Sequence, residues 1–102
     1  MVILVIFGIN YIKGLNKVQG EPDLMKCISE KAIMYSQKSC PHCITQKEML
    51  GNFTSLFTIV DCKEEPQKCS DNEIKLTPTW IIDGKKVEGV QQINQLKELT
   101  GC

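Results

Sequence analysis

The sequence predicts an α/β fold, in which a mixed central sheet of about four strands is flanked by helices and ends in a β-hairpin and a helix. Apolar, strand-like runs alternate with helical segments, which is typical of parallel strands joined by crossovers. The dipeptide Asp83-Gly84 separates two further strand-like runs and indicates a hairpin, which adds antiparallel strands. With 102 residues, 42% of them apolar, the chain suffices for one domain with its own core.

The charge balance argues against one class of partner. Twelve Lys and Arg residues cancel twelve Asp and Glu residues, so the net charge is zero. A neutral protein has no overall field that attracts nucleic acid or anionic lipid. We therefore expect no nucleic-acid partner, and we expect a monomer.

Residues 1–22 are predicted to be separate from a domain at residues 23–102. Residues 1–12 are almost wholly apolar, and residues 13–22 form a polar linker with two glycines and a proline. Twelve residues are too few to cross a bilayer, which needs about 20. A membrane anchor, an export signal and a buried first strand all remain open for the apolar segment.

The first elements of the domain lead up to a pair of cysteines. A short helix is predicted from Asp23 to Glu30, with Asp23 as its N-cap. A buried strand at Ala32–Ser36 follows, then a loop at Gln37–Ser39. The next helix ends near Gly51, since glycine is favoured just past a helix C-terminus.

The remaining elements alternate in the same way. Residues 57–61 form a strand, and the charged residues 63–73 form a short helix or an irregular crossover. Thr79–Ile82 and Lys85–Gly89 are the two strands of the hairpin. The last helix ends at Gly101 and has one apolar face, formed by Ile93, Leu96, Leu99 and Thr100.

Two cysteines open the second helix in the motif Cys40-Pro41-His42-Cys43. Thiols one helical turn apart bring their Cα atoms within the roughly 4.4–6.8 Å that a disulfide tolerates. Pro41 suits the first helical position, because its missing N–H would have no partner there. Cys40 then lies at the N-cap, where free N–H groups and the helix dipole favour a thiolate. The motif predicts thiol–disulfide exchange, with Cys40 attacking and Cys43, which is less accessible, resolving the mixed disulfide.

Two alternatives bear on this motif. The cysteines could form half of a structural zinc site, which would need two ligands from Cys62, Cys69, Cys27 or His42. Proline after the first cysteine is more typical of redox motifs, so we predict neither metal nor cofactor. His42, the only histidine, is either a solvent-facing residue without a role or a positive partner that lowers the pKa of Cys40. We favour the second role.

Beyond these motifs, residues 30–102 resemble the thioredoxin fold. The resemblance rests on the Cys-Pro-His-Cys motif after a strand, on Thr77-Pro78 before a strand and on the Asp83-Gly84 hairpin. Within that superfamily the chain is most similar to the thioredoxin-like domains associated with vitamin K epoxide reductase homologues. The shared features are Cys40 to Met49, Asp61-Cys62, residues 78–85 and the tail from Gly89 to Gly101.

The resemblance implies a thiol–disulfide oxidoreductase that oxidises protein thiols and is recharged by a membrane quinone reductase. The Pro-His dipeptide is similar to that of the strongly oxidising DsbA-type enzymes, which implies that Pro41 and His42 help to stabilise a Cys40 thiolate. It also implies a cis Pro78 facing the dithiol, with the Thr77 backbone pairing with an extended substrate. We expect a location outside the cytosol or at a membrane.

Cys62 and Cys69 resemble a second cysteine pair of that family. This implies a disulfide that stabilises the crossover or a second redox relay, against the alternative of two free thiols in a reducing cytosol. The other two cysteines have no partner that the sequence indicates: Cys27 is predicted to be a small buried hydrophobe and Cys102 a mobile terminal residue, and a disulfide between them is possible but unsupported.

Two departures and one competing resemblance qualify the comparison. Met34 stands where related enzymes often carry a buried acid, and Ser39 stands where they often carry an aromatic residue. The stretch at residues 82–85 also resembles glutaredoxins, although the tail after Gly89 differs from theirs. A cytosolic disulfide reductase of the glutaredoxin or thioredoxin type is therefore the alternative function, and a zinc-binding module is a third.

Overall fold

A computed structural model describes residues 21–102 of the chain. The predictions for the apolar segment at residues 1–12 and for residues 13–20 of the linker lie outside the described residues. Residues 21 and 22, which were expected to end the linker, belong to the first helix. No helix in the described part is both long enough and apolar enough to span a membrane.

Four helices, four strands and one 3-10 helix follow one another within residues 21–102. In order, they are α1 (Glu21–Lys31), β1 (Ala32–Ser36), α2 (Pro41–Leu50), the 3-10 helix (Gly51–Leu56), β2 (Thr58–Asp61), α3 (Pro66–Asp71), β3 (Thr79–Ile82), β4 (Lys85–Glu88) and α4 (Ile93–Thr100). The sheet order is β2-β1-β3-β4, with β1 and β2 parallel and the other pairs antiparallel. This confirms the predicted mixed sheet of four strands.

The predicted start of the first helix was wrong, whereas the predicted end of the dithiol helix near Gly51 is confirmed. Helix α1 begins at Glu21, so Asp23 lies in its first turn and is not its N-cap. Pro22 is favourable in this first turn, and the acidic side chains of Glu21 and Asp23 interact favourably with the helix dipole. Gly51 ends α2 with a φ of 57°, but the chain then continues into the unpredicted 3-10 helix. The charged crossover contains the short helix α3.

In the described part of the chain, the core consists of two apolar clusters, one on each face of the sheet. The larger cluster joins the sheet to α1, α2 and α4, and Trp80 lies in it with no exposed surface. The ring of Phe57 packs edge-on against Trp80, with centroids 5.7 Å apart. The smaller cluster holds Tyr35, Val60 and Cys69. Trp80 was predicted to belong to the core of a central strand, and it is fully buried because β3 lies between two other strands and its side chain packs in the larger cluster.

One residue of the predicted apolar face of α4 was misplaced. Leu96 and Thr100 are buried and Ile93 is half-buried, but Leu99 is 46% exposed. Positions 93, 96 and 100 follow the helical repeat and already form the buried stripe. Leu99 precedes Thr100 at the margin of that stripe and therefore faces solvent.

The β3–β4 hairpin has the predicted turn. Asp83 and Gly84 both have positive φ, 54° and 76°, as a type I′ turn requires. Because β1 and β3 are antiparallel, Tyr35 at the end of β1 pairs with Thr79 at the start of β3. The loop before β3 and the loop after β1 therefore meet at one edge of the sheet.

Candidate active site

The Cys-Pro-His-Cys motif lies at this edge, directly after the turn that follows β1. The backbone N–H of Cys40 donates to the carbonyl of Gln37 at 3.3 Å, which closes the turn. Ser39 in this turn has a φ of 66°, a left-handed conformation that residues other than glycine rarely adopt. The turn places Cys40 at the N-cap of α2, with Pro41 in the first helical turn.

Cys40 and Cys43 are joined by a disulfide, with Cα atoms 5.2 Å apart. Cys40 is half-buried, whereas Cys43 is only 1% exposed. An incoming sulfur can therefore reach Cys40 but not Cys43. The difference in exposure agrees with the predicted order of accessibility, and the roles of attacking and resolving thiol stay predictions. His42 is exposed on the first turn of α2.

Thr77 approaches the same sulfur from the loop before β3. Its Oγ1 lies 3.4 Å from Cys40 Sγ and its carbonyl oxygen lies 3.5 Å from that sulfur. The Thr77–Pro78 peptide bond is cis, as the resemblance implied, and Pro78 is buried. The two predicted substrate-binding residues are thus brought to the dithiol.

The surroundings of Cys40 Sγ favour negative charge on it. The backbone N–H of Cys43 donates to Cys40 Sγ at 3.1 Å, and the Thr77 hydroxyl is positioned to donate as well. The N-terminus of α2 adds its dipole. Hydrogen bonds to the charged form of a group lower the pKa of an acid, so this geometry favours a thiolate at Cys40 once the disulfide is reduced.

The buried side chain of Gln46 connects α2 to the rest of the site. Its Oε1 accepts from Trp80 Nε1 at 3.0 Å and from the backbone N–H of Gln91 at 2.7 Å. Its Nε2 donates to the carbonyl of Gln91 at 3.0 Å. Two residues before Gln91, the N–H of Gly89 donates to the carbonyl of Pro78 at 2.8 Å. This network joins the dithiol helix to the loop that carries Thr77 and Pro78.

Cys62 and Cys69 form a second disulfide, with Cα atoms 5.6 Å apart. The backbone N–H of Cys62 donates to the carbonyl of Ser36 at 2.8 Å. Lys38 Nζ, in the turn before Cys40, lies 2.9 Å from Glu64 Oε1 in the segment between the two cysteines. The hydrogen bond to Glu64 and its negative charge raise the pKa of Lys38. The second disulfide thus adjoins the turn that presents Cys40.

The sequence left the state of Cys27 and Cys102 open, with a disulfide between them possible but unsupported. They form a third disulfide with Cα atoms 6.0 Å apart, so Cys27 is a half-buried bonded residue and Cys102 is fixed against α1. Helix α1 packs against α4, which ends two residues before Cys102 and brings the two thiols together. All six cysteines are therefore paired. Within residues 21–102, no group of three or more metal-ligating side chains is assembled.

Of the two cysteines of the dithiol, Cys40 is the one that reaches the surface. A cavity of about 820 Å³ opens at the opposite end of α2, and Leu24, Met49 and Phe53 are among its apolar lining residues. The third disulfide also lines it. Because Cys40 is partly exposed at the surface, the cysteine of another protein can reach its sulfur.

Sequence reasoning missed three features of the site. Gln46 and Ser36 are polar residues without exposed surface, and the Lys38–Glu64 ion pair joins two loops. A signal existed for Gln46, because it lies three residues after Cys43 and therefore on the inner face of the helix. The ion pair had no signal, since its partners are distant in sequence.

Comparison with known proteins identifies relatives of this chain. A scan against protein-family models found no match. The thiol-disulfide oxidoreductase LTO1 of Arabidopsis thaliana is 35% identical over 79 residues, an alignment that covers 69% of this chain and 21% of that protein. This chain therefore spans about a fifth of the length of that relative.

Solved structures provide a relative of similar size. The thioredoxin-like protein BC3987 is 33% identical, with a TM-score of 0.51, and the match covers 68% of this chain and 99% of that protein. The domain named NTD_N/C of the alkylhydroperoxide reductase AhpF from Enterococcus faecalis has a TM-score of 0.54 at 18% identity, over 76% of this chain and 42% of that one, and supports the fold alone. Because the match to BC3987 extends over nearly all of that protein, and the four-stranded sheet carries its dithiol at a helix N-terminus, the chain belongs to the thioredoxin-like proteins.

Proposed function

We propose that this protein is a thiol–disulfide oxidoreductase that exchanges its Cys40–Cys43 disulfide with cysteine pairs of other proteins. The observation that carries the proposal is the half-buried sulfur of Cys40, which lies at a helix N-terminus and 3.4 Å from the Thr77 hydroxyl. The name of the related LTO1 describes the same chemistry.

The exchange proceeds in two steps when the protein acts as an oxidant. A substrate thiolate attacks Cys40 Sγ, the Cys40–Cys43 bond breaks, and Cys43 leaves as a thiolate that takes up a proton. The second substrate thiolate then attacks the substrate sulfur of this mixed disulfide, and Cys40 leaves. The substrate gains a disulfide, and the protein ends with two reduced cysteines. A stabilised Cys40 thiolate is a good leaving group, so the site geometry favours the second step.

We infer that oxidation of substrate is the physiological direction, in a compartment outside the cytosol or at a membrane surface. Pairing of all six cysteines supports this, because structural disulfides persist in oxidising compartments and are rare in the cytosol. The Pro-His dipeptide between the cysteines and the donors around Cys40 also support it, since both stabilise the reduced form.

An oxidant must be recharged after each turnover. A membrane quinone reductase is the partner we propose, on the similarity to the thioredoxin-like domains associated with vitamin K epoxide reductase homologues. Its disulfide would accept the two electrons held by Cys40 and Cys43. Reoxidation of the reduced protein by quinone-containing membranes, with a Cys43→Ser variant as control, tests this partner.

The reduction potential of the Cys40–Cys43 pair separates the oxidant from the alternative reductase. Reference values are about −120 mV for DsbA and about −270 mV for thioredoxin. Equilibration with glutathione buffers, followed by alkylation and peptide mass mapping, measures the redox state of this pair separately from that of the other two disulfides. We expect a reduction potential closer to the DsbA value than to the thioredoxin value. A potential below that of the cytosolic glutathione pool would reject the oxidising direction.

An activity assay tests the chemistry itself. Oxidative refolding of a reduced, unfolded protein should require Cys40, so Cys40→Ser should abolish it. The double variant Cys27→Ser/Cys102→Ser leaves the dithiol intact and should retain activity. Metal analysis of protein purified without chelator tests the remaining alternative, a zinc-binding module. Stoichiometric zinc together with inactive thiols would favour that function.

A further inference from the structure

One buried hydroxyl has no hydrogen-bond partner in the part of the chain that the structure describes. Five polar residues are buried there: Ser36, Gln46, Thr79, Gln91 and Thr100. The side chains of the last four all make hydrogen bonds, for example Thr79 Oγ1 to the carbonyl of Leu76 at 2.6 Å. Ser36 Oγ makes none, although Ser36 has no exposed surface. An unpaired buried hydroxyl costs free energy, so its retention calls for a reason.

Ser36 lies on the face of the sheet that packs against the dithiol helix. It is the last residue of β1, and alternate side chains of a strand point to the same face. Ala32 and Met34, which share this face with Ser36, belong to the cluster that contains Cys43. Tyr35 belongs to the cluster on the other face. The turn to Cys40 starts at the next residue, so Ser36 is also at the dithiol end of the strand.

Cys43 needs a polar partner when the disulfide is open. Attack by Cys43 requires its thiolate, and burial in apolar surroundings raises the pKa of a thiol. No Asp, Glu, His or Lys is buried among the described residues. Cys40 and the disulfide-bonded Cys102 pack on this cluster. On β2, the half-buried Asp61 pairs in register with Ser36 and faces the same side of the sheet, where its Oδ1 accepts from the backbone N–H groups of Lys63 and Glu64. On α2, Lys47 is half-buried and His42 is exposed. Within residues 21–102, the Ser36 hydroxyl is the one buried side-chain N or O group without a hydrogen-bond partner.

We propose that the Ser36 hydroxyl donates a hydrogen bond to the Cys43 thiolate in the reduced protein, directly or through one buried water. In the proposed oxidation, the substrate thiolate attacks Cys40 Sγ and the Cys40–Cys43 bond breaks, and the Ser36 hydroxyl would stabilise the departing Cys43 thiolate until it takes up a proton. In the reverse, resolving step, the Cys43 thiolate attacks Cys40 Sγ of the mixed disulfide, the Cys40–Cys43 bond forms and the bond from Cys40 to the substrate sulfur breaks. The proton lost by Cys43 is taken up by the departing substrate thiolate, and Ser36 keeps its own. This role in turnover rests on the proposed function, whereas the hydrogen bond itself does not.

The proposal makes opposite predictions for the two redox states. In the oxidised protein the hydroxyl is unpaired, so Ser36→Ala should leave the melting temperature unchanged or raise it. In the reduced protein the variant loses a hydrogen bond to an anion, so the pKa of Cys43 should rise by about one unit or more. At a pH above the Cys43 pKa of both proteins, where this thiol is ionised, the dithiol–disulfide equilibrium with glutathione should shift about tenfold toward the disulfide, which is about 30 mV toward a more reducing potential; at a pH below both pKa values the shift should vanish.

The experiment follows the Cys43 Cβ carbon by NMR through a pH titration of reduced, 13C-cysteine-labelled full-length protein. Ser36→Thr keeps the hydroxyl and should retain the wild-type pKa of Cys43, and Ser55→Ala, which removes an exposed hydroxyl, is the matched control. An unchanged Cys43 pKa in folded Ser36→Ala overturns the proposal, as does a loss of stability in its oxidised form. A shifted pKa in a protein without oxidoreductase activity would support the hydrogen bond and reject only the proposed function.

Discussion

The hydroxyl of Thr77 lies 3.4 Å from the sulfur of Cys40, although the two residues are 37 positions apart in the sequence. The contact exists because β3 runs antiparallel to β1 and begins where β1 ends. Thr77→Val removes the hydroxyl with little change of shape. We expect the pKa of Cys40 in the reduced protein to rise by about half a unit to one unit, since a hydrogen bond of ~1 kcal/mol corresponds to about 0.7 unit.

Thiolate absorbance during a pH titration measures this shift. Thr45→Val is the control, because Thr45 is exposed on the same helix and its hydroxyl donates to the carbonyl of Pro41 and not to a sulfur. If the two variants show the same Cys40 pKa, the Thr77 hydroxyl has no part in stabilising the thiolate.

His42 offers a second, electrostatic contribution at the same sulfur. It is exposed on the first turn of α2, between the two cysteines. His42→Ala should raise the pKa of Cys40, because it removes a partial positive charge near the thiolate. The same titration measures the shift, and the effect should shrink in high salt, since exposed charges are screened. A titration identical to that of the wild type would eliminate this role.

The buried amide of Gln46 should matter for stability. Gln46→Leu leaves the N–H of Trp80 and the N–H and carbonyl of Gln91 without their partner. Each buried unpaired group costs ~1–3 kcal/mol and three groups lose their partner, so we expect a loss of at least about 3 kcal/mol in urea unfolding of the oxidised protein. Gln67→Leu is the control, since Gln67 is exposed and bonds only within α3, to Asp71. A loss as small as that of the control would show that the network is not needed for folding.

The two disulfides outside the dithiol should differ in their contribution to stability. In the chain-entropy model, the 7-residue separation of Cys62 and Cys69 gives about 2.5 kcal/mol and the 75-residue separation of Cys27 and Cys102 gives about 4.5 kcal/mol. We therefore expect Cys27→Ser/Cys102→Ser to lower the free energy of unfolding more than Cys62→Ser/Cys69→Ser. Urea unfolding of both double variants, with the dithiol oxidised, measures the difference. The reverse order would contradict loop length as the main cause.

Local patterns predicted the sheet and the reactive cysteines. The strand Thr79–Ile82 and the Asp83-Gly84 turn were correct because their signals lie within a few adjacent residues. The position of Cys40 at the N-cap followed from Pro41, which is favoured at a helix start. Such features depend on neighbours in the chain and can be inferred from one sequence.

Features that depend on distant residues could not be inferred in this way. The Cys27–Cys102 disulfide requires α1 and the end of α4 to meet, and spacing along the chain carries no information about that contact. The 3-10 helix after Gly51 was missed because glycine signals the end of an α-helix but not the path that follows. The unpaired hydroxyl of Ser36 is visible only once every neighbouring donor and acceptor has been placed.

The third disulfide has a practical consequence for handling the protein. Because Cys27 and Cys102 are covalently joined, a protease that cuts any one loop between them produces two pieces that remain attached. Nicked molecules would migrate at full mass on a denaturing gel until a reductant is added, so purity must be judged under reducing conditions.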